Sequence, residues 1–455
     1  MLTKKKEKPD RREYLTKTPV PKLITQLSIP TIISMLVTGI YNSADTYFVG
    51  KISTEATAAV GIVFSVMAMI QAMGFFCGHG SGNYLSRMLG SGNLKEAGEV
   101  ASTGFALAIL LGCIAAALGN LLAHPLAQLL GASPATMADT LSYMRIVLIG
   151  APFMMGQFVI NNQLRFQGSA MYAMVGLMSG AVVNIILDPL LILYFGLGTV
   201  GAAIATVSGQ IVSFFVLLAG SMQGENIRLT IRNVHFSMHL LYEIVNGGAP
   251  SLFRQGLAAV ATLVLNHTAG SMGGDAAIAG MSVTTRILML MACVMIGFGQ
   301  GFQPVCSYNY GAGLKSRVKE GYFFCAKYGF VFLTVLATVC FIFAPSVVGW
   351  FRNDPLVIAT GSIALRAQCI TLPLLSVTTM TNMMLQSTGK GVKASILASA
   401  RNGIFFLPAI LILPHLFGLF GVQIAQAVAD VLSVALAIPL AASELRLMED
   451  TADGI

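Results

Sequence analysis

Apolar residues in this chain come in long blocks separated by short polar connections. The blocks fall at roughly 23–49, 58–82, 98–122, 137–160, 169–195, 199–222, 241–268, 276–305, 321–349, 356–385, 394–417 and 419–442. Each is about as long as a helix that crosses the hydrocarbon of a bilayer. The longest polar connection, about 223–239 (QGENIRLTIRNVHFSMH), lies between the sixth block and the seventh. The pattern predicts an all-α membrane protein with twelve transmembrane helices. Its expected organisation is a basic tail over 1–22, a six-helix bundle over 23–222, a linker over 223–239, a second six-helix bundle over 240–443 and a short tail over 444–455.

The two halves resemble each other. Pro30 in SIPTIIS and Pro250 in GAPSLFR stand 220 residues apart. At the same shift, Gly198, Gly201, Ile204, Ala205 and Ser213 match Gly418, Gly421, Ile424, Ala425 and Ser433, and Gly90 and Gly92 match Gly311 and Gly313 one residue further on. With six segments per half, such repeats run parallel and are related by an axis along the membrane normal. Two pseudo-symmetric bundles facing each other across a cleft is a transporter plan.

Composition agrees with this reading and sets an orientation. Only 10% of the 455 residues are charged and 55% are hydrophobic, far from the roughly one-quarter charged content of soluble domains. The net charge of +8 does not point to nucleic acid, because eight of the 27 Lys and Arg lie in the first 22 residues and most others lie in loops. With the amino terminus inside, nineteen basic residues fall on the cytoplasmic side and only Lys51 and Arg352 outside, so both termini are expected in the cytoplasm. The tail is read as disordered and resting on anionic lipid, not as a cleavable signal. The seven cysteines are scattered without a CxxC pair and read as small apolar residues. No GxxxxGK stretch is present, so no ATP-binding site is expected. No metal role is expected for His79 or His267, which are isolated.

The charges inside the apolar blocks carry the candidate chemistry. Asp188 in NIILDP lies one helical turn after Asn184, and Asp45 one turn after Tyr41. Pro30, fifteen residues before Asp45, should kink or soften the first helix. Two carboxylates in one bundle can share a proton, or coordinate a small cation together with amide and hydroxyl oxygens, unless each merely pairs with Arg145. In the second half Arg254, Arg286, Arg366 and Asp430 fall at depth. A structural ion pair between Arg286 and Asp430 is expected, with surplus arginines left to snorkel or face a cleft. An intramembrane aspartyl protease would also use two buried aspartates, but the chain lacks a GxGD stretch, so no enzyme is expected.

The kinking proline, Asp45, the NIILDP stretch and the twelve-segment repeat together resemble the multidrug and toxic compound extrusion (MATE) transporters, and the resemblance covers essentially the whole chain. It implies a V-shaped pair of bundles that exports amphipathic, often cationic compounds in exchange for H+ or Na+. On this resemblance Asp45, Asn184, Asp188 and Thr206 match the family's cation-coordinating positions, a possible Na+ site among them, and Tyr41, Tyr143 and Asn161 match the polar network around them. In the seventh segment, where some branches carry an acid, this chain has Arg254 and Gln255 after Pro250. Coupling is therefore expected in the amino-terminal bundle, and the arginines leave the substrate's charge open. The resemblance implies no cofactor besides H+ or Na+. It implies a monomer in a bacterial cytoplasmic membrane, with a small-molecule substrate and no nucleic acid. A flippase for a lipid-linked precursor is the alternative.

Overall fold

A computed structural model describes residues 10–448, the side chains of 40–46 excepted. The described residues form helices α1 (Arg11–Lys17), α2 (Val20–Val49), α3 (Thr54–Ser91), α4 (Leu94–Leu121), α5 (Ala123–Leu129), α6 (Met137–Ile149), α7 (Ala151–Phe166), α8 (Ala170–Pro189) and α9 (Gly198–Ser221) up to the linker. After it come α10 (Met238–Gly311), α11 (Lys315–Ile342), α12 (Ala344–Phe351), α13 (Pro355–Thr371), α14 (Leu374–Ser387), α15 (Gly391–Ser399), α16 (Phe406–Phe417) and α17 (Leu419–Arg446). The 74-residue α10 is two spans joined at Gly274, whose φ of 64° is open to glycine at little cost. Counting α6–α7 and α13–α14 as one bent span each gives twelve passes in two lobes of six.

The bends repeat as the sequence does. α6 and α7 meet at 49° at Gly150, just before Pro152, and α13 and α14 meet at 57° just before Pro373. Each proline offers no N–H to the helical ladder and its ring crowds the carbonyl one turn back, so each span bends there. Beyond each break the same tether recurs 221 residues apart. Asn161 Nδ2 donates to Ala173 O at 2.9 Å, and Asn382 Nδ2 donates to Ala394 O at 2.6 Å. Pro30, by contrast, sits inside an unbroken α2. It cannot donate to the carbonyl one turn back, while Thr31 and Ser34 back-bond to Leu27 O and Pro30 O at 2.9 and 2.8 Å.

The lobes meet along α3 and α10, and the seam is tightest toward the face where α2 begins and α17 ends, which also carries most of the loop lysines and arginines. We call it the basic face. Glycines there bring backbones into contact. A Cβ on Gly90 would strike Tyr308 O, and one on its repeat mate Gly311 would strike Arg87 O. Gly80 lies in the same way against Ile244 O. Polar groups stitch the same zone: Ser28 Oγ donates to Phe298 O at 3.1 Å, Ser251 Oγ lies 3.0 Å from His79 Nδ1, and Ser307 Oγ donates to Asn83 Oδ1 at 3.2 Å. Arg87 Nη2 pairs with Glu243 Oε2 at 2.7 Å across the seam. Arg165, only 4% exposed, donates to the neutral oxygens of Gln300 and Asn162. One apolar cluster spans both lobes here, joining Leu23, Ile24 and Leu85 to Ile244, Phe302 and Val305.

Residues 10–22 correct the expectation of a disordered tail. Leu15 of α1 is fully buried in that cluster. Arg11 Nη2 donates to Asn226 Oδ1 at 2.7 Å, and Glu225 Oε2 accepts from the Arg11 backbone N–H at 3.0 Å. Burial pulls the Arg11 guanidinium below the usual arginine range, and Glu225 offsets part of that. From the second lobe, Arg317 Nη2 reaches Thr18 O at 2.5 Å and Asn309 Nδ2 reaches Leu15 O at 3.1 Å. α1 is thus a strap over both lobes and the linker. A hydrophilic composition concealed it because one leucine and a few chain-specific acceptors hold it in place.

The carboxyl-terminal ion pair also differs from expectation. Arg286 and Arg366 are exposed, and the partner of Asp430 is Arg401, with Nε 2.7 Å from Oδ1. Gln426 and Thr371 complete the carboxylate's shell at 3.0 and 3.4 Å. Arg401 occupies a π-turn, Ala400–Ile404, whose wider winding shifts the helix phase there, and regular helical spacing cannot anticipate it. We expect Asp430→Asn to lower stability by about 3 kcal/mol, because it leaves a largely buried guanidinium without its carboxylate. An unchanged thermal midpoint in detergent would show that the pair holds nothing together.

Candidate functional site

The amino-terminal lobe contains a partly open cavity of about 70 Å³. Thr38, Met67, Gln71, Gln157, Asn184, Thr206, Gln210 and Ser213 are among its lining residues. Asn184 comes from α8 and Thr206 from α9, and these helices are held close by glycines on both sides. A Cβ on Gly209 would fall 2.7 Å from Gly180 O, and one on Gly180 2.5 Å from Gly209 O. That approach brings Asn184 Nδ2 to 3.5 Å from Thr206 Oγ1.

One turn beyond Asn184, Asp188 is fully buried in the last turn of α8. Pro189 and a π-turn, Leu190–Tyr194, follow at once, so the carboxylate sits where the regular helical ladder changes. The Oδ1 of Asn184 and the Oε1 atoms of Gln157 and Gln210 are buried and accept no hydrogen bond among the described residues. These are oxygens that a small cation, or a donor group on a bound molecule, would satisfy.

The other predicted residues fall into three groups. The side chains of Asp45 and Tyr41 lie outside the described residues, although α2, which carries them, packs against α8. Tyr143 is fully buried in a cluster with Ala202, Ala203 and Ile192, beside the stretch of α9 that leads to Thr206. Asn161, expected in the polar network, instead tethers the first turn of α8, fifteen residues and therefore about 22 Å along that helix from Asp188. Its place is fixed by the bent α6–α7 span, which runs back to the basic face. Arg145 is exposed and cannot be the buried partner of Asp188. Arg254 belongs to the lobe seam, donating to Asn382 Oδ1 at 3.2 Å and to Ser251 Oγ at 3.4 Å.

Sequence reasoning passed over Gln71, Gln157, Gln210 and Ser213. The signal was available: Gln210 lies one turn after Thr206 and Ser213 almost one more, which puts a polar stripe on an otherwise apolar α9.

Two six-helix lobes repeated in sequence, spanning helices broken at matched places, and a polar cavity with a buried carboxylate beside it define a membrane transporter. The MatE family model matches residues 30–190 and 250–411, one stretch in each lobe. The chain belongs to the MatE family. It is 28% identical over 427 residues to the multidrug export protein MepA of Staphylococcus haemolyticus, covering 93% of this chain and 94% of that one. It is 29% identical over 421 residues to the Staphylococcus aureus protein of the same name, covering 91% and 92%. A solved outward-facing multidrug resistance MATE transporter of the MOP superfamily superposes with a TM-score of 0.91 at 27% identity, covering 98% of this chain and all of that one.

Proposed function

We propose that this protein is a secondary antiporter that exports amphipathic, cationic compounds from the cytoplasm in exchange for H+ or Na+. The observation that carries the reading is the fully buried Asp188, one turn from the Asn184–Thr206 pair that lines the amino-lobe cavity. An ionised carboxylate in that setting is costly and gains by taking up a proton or a cation. Binding there drives transport only if the ion is held differently in two conformations of the lobes. The basic face is assigned to the cytoplasm on the excess of Lys and Arg there. With the seam shut at that face, the cavity is served from outside. Ion uptake at Asp188 and Asp45 then reshapes α2 and expels the exported molecule, and a new molecule entering from the cytoplasm resets the lobes. The MepA relatives, named as multidrug exporters, support the substrate class.

The test is efflux of a fluorescent cationic dye from proteoliposomes under a proton gradient and, separately, a sodium gradient. Export driven by one gradient identifies the coupling ion. Correctly folded protein that moves no dye under either gradient would overturn the reading.

A further inference from the structure

We propose that the interlobe linker and α4 form a binding site for one anionic glycerophospholipid, with an acyl chain in an apolar groove and the headgroup phosphate held by Arg228 and Arg232. The groove is separate from the amino-lobe cavity. It is lined by Phe105, Ala106, Ile109, Leu110 and Cys113 of α4 and, from the linker, by Leu229, Ile231 and Val234. Its volume is about 400 Å³, room for most of an acyl chain, and its walls are almost entirely apolar.

Three observations choose a lipid over other occupants. The groove opens onto the bilayer: Leu110, Ile114, Leu118 and Leu121 make an exposed apolar stripe that continues along α4 from its mouth. The linker is fixed at membrane depth, since Thr230 N–H donates to Ser102 Oγ at 3.2 Å and His235 N–H to Thr103 Oγ1 at 3.0 Å. Those α4 residues lie eight and nine positions inside the helix, about 12 Å from its basic-face end. The linker also exposes Ile231 at 92% and Met238 at 82% beside two arginines, an arrangement unfavourable in water and suited to the boundary between headgroups and chains.

Charge then selects the headgroup. Arg228 and Arg232 are exposed, and among the described residues neither makes an ion pair or a side-chain hydrogen bond. The linker's one glutamate, Glu225, is already engaged by Arg11. Two exposed guanidiniums, each next in the chain to a residue that lines the slot, match a phosphodiester with a chain attached.

Native mass spectrometry of the full chain in detergent, titrated with phosphatidylglycerol and with phosphatidylcholine of identical chains, tests this. Phosphatidylglycerol should be retained preferentially. The double variant Arg228→Gln/Arg232→Gln should weaken it by up to about thirtyfold, from about fivefold per arginine near the membrane surface. Ala106→Phe, which fills the groove, should weaken both lipids. Variants are compared after circular dichroism shows wild-type helix content. The proposal is overturned if neither lipid is preferred, or if Lys22→Gln/Arg446→Gln, an exposed pair elsewhere on the basic face, lowers retention equally. Displacement of the lipid by soluble glycerol phosphate would also overturn it, since the site would then be one for free phosphate.

Discussion

Asp188→Asn is expected to give a protein that inserts, folds and no longer couples. Dye export driven by the effective ion gradient should fall at least about tenfold, within the range of coupling energies that link two sites. Asparagine keeps the shape of the side chain and removes its charge. At a position with no exposure, that removes a desolvation cost to set against the carboxylate's own lost contacts, so thermal stability should stay near that of the parent. A falling rate with near-constant stability separates a coupling carboxylate from a structural one. Asp45→Asn should behave alike if the two act as one site. Full gradient-driven export by both variants would remove the mechanism, and a large loss of stability would turn Asp188 into a structural residue.

The second large effect is expected at the lobe seam. Gly80→Leu or Gly90→Val places side-chain atoms where Ile244 O or Tyr308 O now lies. A backbone oxygen has no rotamer to yield, so the helices must part, at a cost of about 1–3 kcal/mol or more. Export should drop at least about tenfold while the basic face becomes leaky to reagents. Cys306, buried at this seam, reports the opening. Once Cys113 and Cys293, the cysteines that are not buried, are replaced by alanine, a bulky maleimide should label Cys306 much faster in the variants than in the parent. Normal transport with unchanged labelling would mean that these contacts do not govern closure.

Much of the architecture was legible in the sequence because bilayer thickness enforces long apolar blocks and a repeat leaves matched prolines and glycines. The shift read from Gly90 and Gly311 reappears as the paired Asn161 and Asn382 tethers and as the two bent spans. Asn184 was legible from its spacing, one turn before Asp188 in an apolar helix, whereas Thr206, on the next helix, was reached only through the resemblance to the MATE transporters. What escaped depends on phase and on partners distant in the chain. A π-turn put Arg401 rather than Arg286 against Asp430. The depth of an arginine along a helix said nothing of its facing, so Arg145 and Arg366 proved to be exposed. The three cavity glutamines were counted as ordinary polar residues because none carries a charge.

The strap formed by α1 has a consequence for the order of biosynthesis. It leaves the ribosome ahead of both lobes, yet its partners arrive late: Glu225 and Asn226 follow six spans, Asn309 ends the eighth and Arg317 opens the ninth. A segment made before its partners must therefore wait, with Leu15 unburied, until both lobes stand side by side. Only an assembled pair of lobes offers all its acceptors and donors at once. A helix synthesised ahead of both lobes is thus among the last to be seated, and its docking registers that the two halves have found each other.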